Sequence, residues 1–341
     1  MPSATDGART DALVVCAGGG IGDSLLASVV GRALHERFAR VDALTLPSHR
    51  AALERVPDFD AVLADDAEEE GRLAERIAEH AYAAAIVTWA TARAARVVRR
   101  ARIPIRVGQA RRLYSGLFTH RVVVRSERGD VSSHWTQVLL DYARAIGCDA
   151  ADTVPRFVPT GSDDAEADRV ARERGLETQR YLILHPSNAI ATKRSWPVSG
   201  WAALARAAYA RFGLPVAVTG SAAEGSIVDG ICAAAGDGSV AVAGATSIGA
   251  FGSLARRARA YVGITTGAMH VAAAVGAPTV GIFPFQSDFP DRWAPLGAKT
   301  AIVRASYPCH LGDTKERCSD YACIANLDVA RILAATQEVL R

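Results

Sequence analysis

Short apolar runs alternate with helix-periodic segments along almost the whole chain, and this rhythm constrains the fold more than any other feature. In the first half, residues 13–15, 41–46, 61–63, 84–89, 103–107 and 121–124 read as strands. In the second half, residues 181–184, 215–219, 240–242, 260–264 and 278–283 read the same way. Between them lie helical stretches; over residues 24–38 the apolar Leu25, Leu26, Val29, Val30, Ala33, Leu34 and Phe38 share one helical face. Further helices are expected over 133–146 and 163–175. Strands that are apolar throughout and separated by helices imply parallel sheets covered on both faces, hence an α/β class. "TVPRFVPTG", at 153–161, reads as a linker, so the 341 residues divide into two parallel α/β domains. In such sheets ligands bind outside the carboxyl ends of the strands, and a cleft between the domains is the expected place.

Composition excludes several classes. A net charge of +3 is too balanced to argue for nucleic acid. The charge is uneven, however: residues 58–70 hold seven acids and no base, and residues 93–112 hold eight arginines and no acid. Both runs read as solvated faces, and the arginines can also face an anionic acceptor. The first apolar run is too short for a secretory segment, and nothing approaches the ~20 apolar residues of a membrane helix. Six cysteines without a secretory signal suggest reduced thiols in a cytoplasm.

Several motifs fall at strand ends. "GGGIGD", Gly18 to Asp23, lies between a strand and a helix but lacks the dinucleotide fingerprint's third glycine, because Asp23 stands in its place. Asp23 is either a helix cap or a general base. "HPSNAIATKRSWP" gathers Ser187, Thr192, Lys193 and Arg194 at a strand's carboxyl end, which suits a phosphate or simply a solvated basic loop. Glu224, in "VTGSAAEG", can bind ribose hydroxyls or complement a helix dipole. In "YVGITTGAMHVAAAVGAP", a strand ends at Thr265-Thr266-Gly267 and a helix follows, an arrangement that favours an anion. Asp58 and Asp60 in "PDFD" have the spacing of a metal-binding pair but precede a strand in an acidic run, so they read as structural. Cys309, His310, Cys318 and Cys323 lack the close cysteine pair of zinc sites, and no metal is expected.

Together these motifs resemble the heptosyltransferase family of lipopolysaccharide core assembly. The family's "SLGD" element matches Gly20-Ile21-Gly22-Asp23, and its "NPDVDxVI" matches Val56 to Leu63. "HPGA…KRWP" is similar to His185 through Pro197, "TGGPAE" to Thr219–Glu224, "GNDTGxMHLAAAxGxP" to Gly263–Pro278, and "RWxPxG" to Arg292–Gly297. The resemblance implies a GT-B glycosyltransferase with two Rossmann-like domains, inverting, metal-independent and without a cofactor. An acceptor-binding domain would span 1–155 and a nucleotide-sugar domain 156–326, with a last helix in 327–341 packing back on the first domain. It implies Asp23 as general base and Gly20, Gly22, Arg111 and Arg112 near a carbohydrate or glycolipid acceptor, with possible contact at the inner membrane surface. Ser187, Thr192 and Lys193 or Arg194 would hold the donor diphosphate and Glu224 the ribose. Thr266, Gly267 and Ala268 would present helix-end amides beside Thr265, with His270 supporting the turn. The implied donor is an ADP-linked heptose or related sugar.

Three positions depart from the family's pattern: "ND" before Thr-Gly is Ile264-Thr265, "HPGA" is "HPSN", and the loop from Phe283 to Trp293 is longer. Two other functions compete: a GT-B sugar-nucleotide epimerase, opposed by the "SLGD"-like and "RWxPxG" elements, and a non-catalytic nucleotide-sugar binder. Asp23 and the adjacent cations oppose the latter, since a decayed site would lose them.

Overall fold

A strand whose consecutive residues are all apolar is stable only when both its faces are covered. In the computed structural model, which describes residues 10–186, 196–285, 289–307 and 322–341, β1 (Asp11–Val15) is such a strand from Ala12 onward. It pairs in parallel with β2 (Arg40–Thr45) and β4 (Ala84–Val87), Val14 lying opposite both Ala43 and Ile86. With β3 (Ala61–Ala64), β5 (Ile105–Gln109) and β6 (His120–Val122), they form a six-stranded parallel sheet in the order β3-β2-β1-β4-β5-β6.

Helices α1 (Ile21–Leu26), α2 (Ser28–Leu34), α3 (Pro47–Leu53), α4 (Glu70–Ala78), α5 (Ala92–Arg100) and α6 (Trp135–Arg144) surround this sheet. Leu13 and Val15 point into a core shared with Leu73 and Ile77 of α4 and Val97 and Val98 of α5. The helix expected as one piece over 24–38 is two. It starts earlier, at Ile21, and breaks at Ala27, whose carbonyl takes the Val30 N–H at 3.0 Å in a tightened turn.

The charge runs are not merely solvated faces. Arg93 grips Asp65 at 2.6 Å, Arg96 and Arg100 pair with Glu70, and Arg76 pairs with Glu68. The acids before and at the start of α4 thus meet the arginines of α5 laterally. Asp58 and Asp60 are structural, as expected. Buried Asp58 takes two bonds from Arg32, at 3.0 and 2.9 Å, and Asp60 accepts the Val41 N–H at 2.7 Å.

The chain divides into two units between Arg156 and Phe157. The second contains β7 (Leu182–His185), β8 (Val216–Val218), β9 (Ser239–Ala241), β10 (Ala260–Ile264), β11 (Thr279–Phe283) and β12 (Thr300–Arg304). Their order, β12-β11-β10-β7-β8-β9, repeats the winding of the first sheet, and all pairs are again parallel. β12 escapes a reading by pattern because it is a partly exposed edge strand, with Ile302 open to solvent.

Helices α7 (Gly161–Glu173), α8 (Val198–Phe212), α9 (Gly225–Ala235), α10 (Ile248–Arg257), α11 (Gly267–Ala274), α12 (Pro290–Trp293), α13 (Ala322–Ala325) and α14 (Val329–Leu340) belong to this unit. The last helix was expected on the first domain. Its buried residues Ile332, Ala335 and Val339 instead join the second unit's own core, beside Leu204 of α8 and Val303 of β12. Among the described residues, no helix is long and apolar enough to cross a membrane.

Candidate active site

In the first unit the glycine loop after β1 shapes the site. Gly19 is left-handed (φ 66°), and a Cβ there would lie 2.5 Å from Asp23 Oδ2. A Cβ on Gly18 would lie 1.9 Å from the Trp89 ring. Both positions therefore require glycine, one for its backbone and both for close approach. The chain turns at Gly20, whose N–H donates to Asp23 Oδ2 at 2.8 Å. Asp23 is thus not the N-cap itself but the third residue of α1, reaching back to the cap position, while Gly22 is buried beside it in the same turn.

Burial pushes the Asp23 carboxyl above the usual carboxylate range, against the lowering effects of the Gly20 N–H and of nearby His49. Burial in turn pushes His49 down, against the opposing pull of the Asp23 charge. His49 Nδ1 lies 3.0 Å from Ser24 Oγ, and that hydroxyl donates to the Cys16 carbonyl. With the hydroxyl proton so committed, the imidazole is the donor to Ser24. A small recess beside Asp23 is walled by Thr88, Trp89, Trp135 and Leu139. Trp89, Trp135 and His49 were not foreseen as site residues; the "TWA" ending of the β4 run was the available signal for Trp89.

Arg111 and Arg112 follow the carboxyl end of β5, the correct end of the sheet for a ligand. Arg112 already pairs with Glu127 at 3.1 Å, and Arg111 donates to the Glu127 carbonyl at 3.3 Å. Cys16 is buried, and its thiol is pushed up to about 12, which makes it inert.

In the second unit, the candidate residues collect at the carboxyl ends of β7, β8 and β10. His185 ends β7 and its Nδ1 lies 2.9 Å from Thr219 Oγ1, just past β8. Burial pushes His185 down to about 4, partly opposed by the charge of Glu224, so its ring is neutral. Glu224 is buried. Its Oε2 accepts the Ser221 N–H at 2.6 Å and the Ser221 hydroxyl at 2.7 Å, closing a capping box. Its Oε1 is buried with no hydrogen-bond partner among the described residues.

Thr266 is the N-cap of α11, and its Oγ1 is buried beside the Tyr261 hydroxyl. The first-turn N–H groups, those of Gly267 and Ala268 among them, have no intrahelical acceptor ahead of them. Thr265 N–H bonds the Ile282 carbonyl at 3.1 Å, fixing the strand end, and His270 is buried inside α11. Gly263 is required here too, since a Cβ would meet the Tyr261 hydroxyl at 2.5 Å. Ser187, Thr192, Lys193 and Arg194 lie outside the described residues, as do Cys309, His310 and Cys318. Among the described residues no group of acids, histidines or cysteines is placed to hold a metal.

Known proteins share this architecture. A glycosyltransferase family 9 structure from Veillonella parvula is 15% identical and superposes with a TM-score of 0.82, over 99% of each chain. The Escherichia coli ADP-heptose lipopolysaccharide heptosyltransferase II is 21% identical with a TM-score of 0.77, covering 97% of this chain and 98% of its own. E. coli heptosyltransferase WaaC, solved with ADP, is 14% identical with a TM-score of 0.73, covering 96% and 99%. No curated protein sequence matches. These likenesses establish the GT-B fold. The profile of glycosyltransferase family 9 (heptosyltransferase) matches residues 71–321, most of the chain. The chain therefore belongs to glycosyltransferase family 9, the heptosyltransferase family, and is a glycosyltransferase.

Proposed function

We propose that the enzyme transfers a heptose or related sugar from an ADP-linked donor to a hydroxyl of a glycolipid or other glycoconjugate, inverting the anomeric centre without a metal. The observation that supports this most is the buried Oε1 of Glu224, which has no hydrogen-bond partner among the described residues, at the carboxyl end of the second sheet. A buried carboxylate oxygen left without a donor is costly. A ribose hydroxyl supplies that donor, much as an acid after the second strand does in dinucleotide folds. Two structures of one relative, E. coli WaaC with ADP and with ADP-2-deoxy-2-fluoro heptose, name the same class of ligand.

In this reading Asp23 removes the acceptor hydroxyl's proton as the oxygen attacks the anomeric carbon and the nucleoside diphosphate departs. Its raised pKa makes it a stronger base than an ordinary aspartate. The leaving charge is met by the Gly267 and Ala268 amides and by Lys193 or Arg194 with Ser187 and Thr192. Gly20 and Gly22 let the acceptor approach the loop, and Arg111 and Arg112 recognise its anionic groups. The setting would be the cytoplasmic side of lipopolysaccharide assembly. A thermal-shift panel of ADP-, GDP-, UDP- and dTDP-sugars, followed by product mass for each hit, tests the assignment. Stabilisation by UDP-sugars but not ADP-sugars would refute the ADP donor.

A further inference from the structure

A second cavity, of about 290 Å³, lies in the first unit on the opposite face of β1 from Asp23. Side chains alternate along an extended chain, so Cys16 and Gly18 line the Asp23 recess while Val15 and Ala17 line this cavity. Its lining includes the buried aliphatic side chains of Val15, Leu44, Leu73 and Val97. Protein interiors pack as densely as organic crystals, and an apolar void of roughly 150 Å³ already takes up benzene. The space here suits an apolar group of roughly ten non-hydrogen atoms.

The polar lining refines the ligand class. Arg93 and Asp65 spend their charges on each other through two bonds, of 2.9 and 2.6 Å, and Arg93 also donates to the Glu68 carbonyl at 2.7 Å. No net charge is left to select an ion. Asp65 Oδ1 also accepts the N–H of Ala67, an alanine held left-handed at φ 59° on the cavity's rim. Such backbone outliers persist where the surroundings enforce them, and they collect at ligand clamps. Thr91, which also lines the cavity, accepts the Ala94 N–H at 3.0 Å through Oγ1, and its own hydroxyl proton meets no acceptor among the described residues.

We propose that this cavity binds a compact, uncharged apolar group bearing one hydrogen-bond acceptor for the Thr91 hydroxyl. The site is independent of the catalytic role of Asp23. Its ligand is a free small molecule of that class.

Ligand-observed NMR titration of the full chain with 1-tetralone tests it. Saturable binding is expected, about fivefold tighter than for tetralin, which keeps the ring system but lacks the acceptor and so one neutral hydrogen bond. Cyclohexanecarboxylate should bind far more weakly than tetralone. Ala94→Leu, which fills the cavity from α5, should weaken tetralone at least tenfold while circular dichroism and the unfolding curve stay native. Should that variant not fold, Ala17→Leu fills the cavity from the segment after β1 and carries the same expectation. No saturable tetralone binding, equal binding of the carboxylate, or unchanged affinity in the folded filled variant would overturn the proposal.

Discussion

Replacing Asp23 with asparagine separates its structural role from its chemical one. Asparagine keeps an oxygen to accept the Gly20 N–H, now 2.8 Å from Oδ2, so the turn and the start of α1 should persist. The carboxyl pKa is raised in the folded state by burial, so folding favours its protonated form. The wild type therefore bears a stability penalty above that folded pKa, and the penalty disappears as pH falls below the unfolded value. Asp23→Asn should thus be no less stable than wild type at neutral pH, with any advantage vanishing in acid. Turnover should behave oppositely. Loss of general-base catalysis is worth roughly 10²–10⁴ in kcat, or about 2.7–5.4 kcal/mol of barrier at about 1.36 kcal/mol per decade. Denaturant titrations at two pH values, ADP affinity and steady-state product formation together form the assay. The wild-type acidic limb of kcat should lie above the usual carboxylate range. Near wild-type turnover in a stable Asp23→Asn protein would refute the base and leave Asp23 only its cap contact.

Glu224→Gln, which removes the charge at the buried Oε1, should weaken ADP by roughly 1.5–3 kcal/mol, the worth of a hydrogen bond to a charged group. Unchanged affinity by calorimetry would dismiss the ribose contact. Truncating whichever of Lys193 and Arg194 holds the diphosphate should cost a similar amount, and the assignment fails if neither truncation alters ADP affinity. Arg111→Gln with Arg112→Gln should raise the KM for an anionic acceptor and spare donor affinity, even though Arg112 now pairs with Glu127; unmoved kinetics would remove these arginines from the acceptor site. Thr265, with one hydroxyl and no charge, should loosen donor-sugar selection relative to Thr265→Asp. Equal, strong preference for ADP-heptose in both proteins would sink that idea and favour Gln286 or Asp288 as the missing acceptor.

Fold class was legible because it depends on local pattern. The uninterrupted apolar runs of β1 and β10 and the helical spacing around them have few solutions other than covered parallel strands. Motif positions were legible for the same reason, since strand ends in such sheets are where ligands bind. Where pattern was weak, the reading missed: β12 is a partly exposed edge, and the break at Ala27 is a local hydrogen-bond choice. Pairing between distant segments was decided by the tertiary structure alone. The acidic run and the arginine run looked like two solvated faces, yet Asp65 and Glu70 meet Arg93 and Arg96 because successive crossovers lay α4 beside α5. The same packing consumes the apolar face of α14 in the second unit's core, where a Leu204 or Val303 side chain satisfies it as well as any other apolar surface would. It also sets the Trp89 ring over Gly18, raises the Asp23 carboxyl by burial and leaves Glu224 Oε1 without a partner among the described residues. Periodicity determines which side of a residue faces inward, but burial and hydrogen-bond completion depend on what arrives there from elsewhere in the chain.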